Sequence, residues 1–99
     1  HLPYLISSAL VSAAPEDAVP FISTGFQSTS RLAGSSATMM QDILTTNREQ
    51  VLEALVDYRR ALDQIENSLR SSPDELGTHL KTIREKRRRL LERSTGQQL

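Results

Sequence analysis

Val51, Leu55, Tyr58, Leu62, Ile65 and Leu69 recur in alternating steps of four and three. Apolar side chains at that spacing share one face only if the backbone is helical, and so narrow a seam is buried by packing helix against helix. Just beyond it, Ser72-Pro73-Asp74-Glu75 places a cap serine, a proline at the first helical position and a glutamate three after the cap. Two orphan amide donors can then be satisfied reciprocally, so a second helix starts here. Leu76, Leu80, Ile83, Leu90 and Leu91 give that helix an apolar stripe, interrupted by Arg87, and Gly96 marks its expected end. The link from Arg70 to Ser72 is short enough to predict an antiparallel hairpin of two long helices.

The chain changes character near Asn47. Before it the charged side chains are Glu16, Asp17, Arg31 and Asp42, set among Ser, Thr, Ala and Gly; after it charge is dense. A nearly uncharged half faces little water, so the first half is the buried half or the half that meets a partner. Leu2, Leu5, Ile6, Ala9, Leu10 and Ala13 recur at helical spacing and predict a helix over 1–14, with Pro3 tolerated near its start. Pro15 and Pro20 bracket a connector, and Phe21 to Ser30, without a sustained period, reads as a loop. A brief helical turn is expected around Arg31 to Ala33. Met39, Met40, Ile43 and Leu44 then form a small amphipathic helix capped by Ser35 or Ser36 and closed by Asn47, which opens the long helix.

No segment alternates long enough to be a strand, so the fold class is all-α. In a chain of 99 residues such helices bury a modest core, and an oligomer would supply the missing burial. The chain opens on His1, without a methionine, inside what reads as an ordered element, which suggests a start farther upstream. Lys plus Arg and Asp plus Glu are both 12, so no net field draws in nucleic acid or an anionic membrane. No cysteine is present, which excludes a thiolate metal site and a cysteine nucleophile and fits a cytoplasmic protein. Leu2 to Ala14, broken by Pro3 and carrying Ser7, Ser8 and Ser12, is too short and too hydroxylated to span a bilayer.

Arg31 is the sharpest chemical feature. It is the only basic residue between His1 and Arg48, and Ser28, Thr29, Ser30, Ser35 and Ser36 surround it, beside Gly25 and Gly34. A guanidinium fork matches a carboxylate with two parallel hydrogen bonds, and hydroxyls can complete the anion's shell. Pairing with Glu16, Asp17 or Asp42, or a plain surface position, is the commoner reason for such spacing. His1 and Tyr4 fall on one face of the first helix, where either could donate to a substrate oxygen. His79 stands alone on the last helix, without a second ligand at metal spacing. Asp57, Asp63 and Glu66, near Arg59, Arg60 and Arg70, read as a solvated face of local pairs. Lys86 to Arg89 is the one basic run, but Glu85 and Glu92 interleave it and no aromatic residue is near for base stacking, which argues against nucleic acid. No glycine-rich phosphate loop or Walker-type lysine is present.

His1-Leu2-Pro3-Tyr4 at the head of an Ala/Ser/Leu helix, Thr24-Gly25-Phe26-Gln27-Ser28-Thr29-Ser30-Arg31-Leu32-Ala33, Met39-Met40-Gln41-Asp42-Ile43, and Asn47 opening a long helix together resemble the prephenate/arogenate dehydrogenase family. The likeness spans nearly the whole chain, 1–99, as that family's C-terminal helical dimerisation and substrate-binding domain. The glycine-phenylalanine pair followed by a hydroxyl-rich step into arginine is its specific part.

The resemblance implies an intertwined homodimer and an enzyme that oxidatively decarboxylates prephenate or arogenate on the route to tyrosine. NAD or NADP would be held mainly by an upstream Rossmann domain that also carries the catalytic histidine, neither of which is in this chain; no metal is implied. It also implies that Arg31 clamps a substrate carboxylate, expected to be the ring one, while His1, Tyr4, Thr24 and Gly25 line the pocket and Ser35 approaches the substrate. Prephenate-using relatives commonly carry a second histidine where this chain has Tyr4, a tryptophan in place of Met40 and Asp-Pro in place of Ser36-Ala37, so keto acid and amino acid both stand as substrates. Two readings lie outside the resemblance: a non-enzymatic dimerisation module working through the Val51 to Leu69 seam, and a regulatory domain that binds a small anion at Arg31.

Overall fold

The computed structural model describes residues 1–17 and 23–98, and every described element is helical. In chain order they are α1 (Leu2–Ala13), α2 (Thr24–Ser30), a 3-10 helix (Arg31–Gly34), α3 (Ala37–Thr46), α4 (Arg48–Ser71) and α5 (Pro73–Gln98). Pro20 and Phe21, which bear on the expected connector and loop, lie outside the described residues. Two compact units can be distinguished, His1–Val56 and Asp57–Leu99, with the boundary inside α4. Among the described residues no helix is long and apolar enough to cross a membrane.

In the first unit, α1 starts as its spacing predicts, with proline in the first turn, where its missing amide leaves no intrahelical bond unmade. The segment from Thr24 to Ser30 corrects the expected loop: it is a helix of 7 residues. Ser23 caps it, its Oγ accepting from the Phe26 amide at 3.2 Å, and packing against α1 outweighs the poor intrinsic helix propensity of Gly, Ser and Thr. The helical turn expected at Arg31 follows directly as the 3-10 helix. Ser36 is the cap of α3, accepting from the Met39 amide at 3.3 Å. At the other end the Asn47 backbone and side-chain amides both donate to the Ile43 carbonyl, at 3.1 and 2.8 Å. The Asn47 carbonyl in turn accepts from Val51, so one residue closes α3 and opens α4.

In the second unit the chain turns at Ser72. Its Oγ accepts from the Glu75 amide at 3.1 Å, forming the serine half of the expected capping box. Ser68 and His79 are 11 residues apart, which along a straight helix would separate them by roughly 16 Å. Their side chains nevertheless meet, Ser68 Oγ lying 2.7 Å from His79 Nδ1, so the chain doubles back. Ser68 Oγ also lies 3.1 Å from the Gln64 carbonyl, so the hydroxyl bridges its own helix and the His79 ring. Gly96 is not the end of α5, which runs to Gln98: no described glycine adopts a positive φ, so no left-handed cap forms there.

Little of this is core. Met40, 8% exposed, is the one buried apolar side chain among the described residues, and Leu62, Leu69, Leu80, Ile83, Leu90 and Leu91 are all exposed. Leu62 and Leu69 of the α4 seam and most of the α5 stripe thus remain open to water in the single chain, while Val51, Leu55, Tyr58 and Ile65 are half-buried.

Candidate functional site

The elements that carry the sequence-predicted site residues pack on one another: α1 against α2 and the 3-10 helix, and α2 against the 3-10 helix. The contact has one polar anchor. Ser7, on the inward face of α1, donates from Oγ to the Thr29 carbonyl at 2.6 Å. Tyr4 lies one turn before Ser7 on the same face and is half-buried; His1, at the N-cap, is exposed and makes no side-chain capping bond. Arg31 opens the 3-10 helix two residues beyond Thr29 and is exposed. Ser35, half-buried, leaves the same turn, its amide donating to the Leu32 carbonyl at 3.0 Å. Thr24 and Gly25 occupy the first turn of α2, roughly 10 Å along that helix from Arg31, on a helical turn and not the loop expected of them.

Among the described residues Arg31 makes no ion pair, with Glu16, Asp17, Asp42 or any other acid. Among the described residues its donors have no hydrogen-bond or ion-pair partner. No described hydrogen bond joins Arg31 to His1, Tyr4, Thr24, Gly25 or Ser35, and of the six only Tyr4 and Ser35 are half-buried. An exposed guanidinium can take up a carboxylate in a bidentate manner.

Sequence reasoning missed Ser7. Its signal was a serine three residues from both Tyr4 and Leu10, on the stripe that has to be buried. It also missed the Ser68–His79 pair, which only the turn at Ser72 brings together. Arg48 is a third case, flanking a cleft of about 410 Å³ lined by Leu5, Leu44, Val51, Leu52 and Leu55.

Elsewhere the charges behave as a solvated surface. Arg60 pairs with Asp57 at 3.7 Å and Arg70 with Glu66 at 3.2 Å, each one turn apart and exposed. In the basic run, Arg88 lies between Glu85 at 2.8 Å and Glu92 at 3.2 Å. Its hydrogen bond and charge hold the Glu85 carboxyl below the ordinary carboxylate range. No cluster of three or more His, Asp or Glu among the described residues could hold a metal ion. A dinucleotide's pyrophosphate is cradled where a strand turns through glycines into a helix; the described residues contain no strand and no positive-φ glycine, so they do not fit a nicotinamide cofactor.

The described residues define an all-helical domain with an exposed arginine at the start of its 3-10 helix. The family described as prephenate dehydrogenase, dimerization domain, matches residues 1–83, and the chain belongs to that family. It is 29% identical over 103 residues to the prephenate dehydrogenase of Bacillus subtilis (strain 168), an alignment that takes in 97% of this chain and 28% of that protein. The crystal structure of Synechocystis arogenate dehydrogenase superposes with a TM-score of 0.80 at 30% identity, over 91% of this chain and 36% of the other. The chain thus spans about a third of the length of these relatives.

Proposed function

We propose that this chain is the substrate-binding and dimer-forming domain of a cytoplasmic dehydrogenase that oxidatively decarboxylates prephenate or arogenate with NAD or NADP. A separate domain holds the nucleotide, since the residues described here do not fit one. The observation that carries the proposal is the exposed guanidinium of Arg31, without an ion-pair partner among the described residues, on a segment tied to α1 through Ser7, in a chain of this family. Arg31 takes the ring carboxylate of the substrate, and His1, Tyr4, Thr24, Gly25 and Ser35 line the remainder. That carboxylate departs as carbon dioxide, so its negative charge is greatest in the bound substrate and declines along the reaction. Arg31 therefore contributes chiefly to ground-state binding and orientation. The bare apolar stripes of α4 and α5 support a homodimer.

In the full-length protein, Arg31→Ala should raise KM for the substrate about thirty- to a hundredfold, the equivalent of roughly 2–3 kcal/mol for one charge-assisted bidentate contact, with a smaller change in kcat. Steady-state kinetics with prephenate and with arogenate checks this. An unchanged KM rules the assignment out.

A further inference from the structure

Ser7 is 2% exposed, and a hydroxyl so deeply buried is destabilising unless it finds a partner. Its partner is distant in sequence: the Thr29 carbonyl, 22 residues away, at 2.6 Å. Every other side-chain hydrogen bond described in the first unit reaches only 3 or 4 residues along the chain. This one bond therefore ties α1 to the segment that carries Arg31. The tie falls where position is transmitted most directly, because α2 passes into the 3-10 helix with no residue between them and Arg31 is the first residue of the new helix. On the α1 side, Tyr4 lies one turn from Ser7 on the same face.

We infer that Ser7 is a positioning residue for Arg31: by gripping the Thr29 carbonyl it sets the register of the 3-10 helix against α1, and so where the guanidinium fork stands relative to Tyr4. The inference rests on the proposed function, in which Arg31 receives the substrate carboxylate. Bidentate recognition is directional, so a small slip of the supporting turn loses one of two parallel bonds while leaving the charge in place. Alanine at position 7 keeps α1 helical, since alanine is the strongest helix former, and removes only the tie.

The test is a double-mutant cycle in the full-length protein, assayed with prephenate and with arogenate, each with NAD and with NADP. Ser7→Ala is expected to raise KM about three- to tenfold, the range one net hydrogen bond spans, with kcat within about twofold of wild type. In an Arg31→Ala background the same change should add nothing to KM, because there is no longer a fork to aim. Additive effects on KM, or a wild-type KM in Ser7→Ala while Arg31→Ala raises it, would overturn the positioning role and leave the proposed function standing. Should Ser7→Ala fail to fold, Ser7→Cys, of similar shape but a weaker donor, takes its place: a raised KM is expected, and a wild-type value overturns the role. Absence of turnover with either substrate, or no KM change in Arg31→Ala, overturns the proposed function and this role together.

Discussion

Gly25 separates what the chain needs for itself from what it needs for a ligand. Among the described residues a Cβ built there would meet only Ser23 Oγ, at an ordinary 3.6 Å, and its backbone has no positive φ. Nothing in the fold requires glycine at that position. Replacing it with alanine in the first turn of α2 should keep or slightly raise stability, by up to about 1 kcal/mol, through helix propensity and a less flexible unfolded chain. If substrate approaches the backbone at Thr24 and Gly25, Gly25→Ala should nonetheless raise KM on the order of tenfold, a loss of ~1.4 kcal/mol in binding. Thermal unfolding and kinetics on the same preparation read the two effects apart. A stable variant with wild-type KM removes Gly25 from the site. The glycine-phenylalanine pair was visible in the sequence, whereas its place on a helix was not, because local propensity there disfavours helix and only the packing against α1 supplies the difference.

Among the elements, α5 shows how a helix can persist with little tertiary support. From Leu80 to Lys81 and onward through Thr95 its described side chains are exposed, and its charges are arranged one turn apart, with Arg88 between Glu85 and Glu92. Such exposed pairs contribute modestly and are screened by salt. The Glu85 carboxyl is held below its ordinary range by the hydrogen bond and charge of Arg88. The sign follows: a depressed folded-state pKa means support that is complete above the ordinary glutamate value and is lost as pH falls through the depressed one. Helical carbon shifts of Glu85 to Glu92 should accordingly hold steady through neutral pH and decline in acid, and Glu85→Gln should remove that component. Equal acid midpoints in wild type and variant would show that the pair contributes nothing to the helix. The charge pattern was legible as a solvated face, but the end of α5 was not. Gly96 carries the usual stop signal, yet it keeps an ordinary helical backbone and the helix runs on to Gln98.

For the whole molecule the decisive fact is how little apolar surface a single copy hides. Leu62 and Leu69, on the seam of α4, are 51% and 67% exposed, and the stripe of α5 is similarly bare. In the proposed homodimer these side chains meet a second copy, and symmetry makes each one count twice. Full burial of a leucine is worth about 1.5–3 kcal/mol and these two are already partly covered in the single chain, so Leu62→Asp combined with Leu69→Asp should weaken association by at least about 300-fold. Analytical ultracentrifugation over a concentration series should find wild type dimeric and the double variant monomeric. A wild-type protein that sediments as a monomer at micromolar concentration, or a variant that still pairs, would remove the seam from the interface.

By itself the sequence determined the helices of the second half, the corner at Ser72, the paired role of Asn47, the family and the identity of the anion-binding candidate. Those follow from periodicity, caps and local motifs, which act over three or four residues and are written directly into the chain. The helicity of Thr24 to Ser30, the anchoring of Ser7 to Thr29 and the meeting of Ser68 with His79 were settled by packing instead. Each of these depends on the desolvation of groups far apart in sequence, and the energy of burying a hydroxyl or docking a short helix does not exist until the second surface is in place.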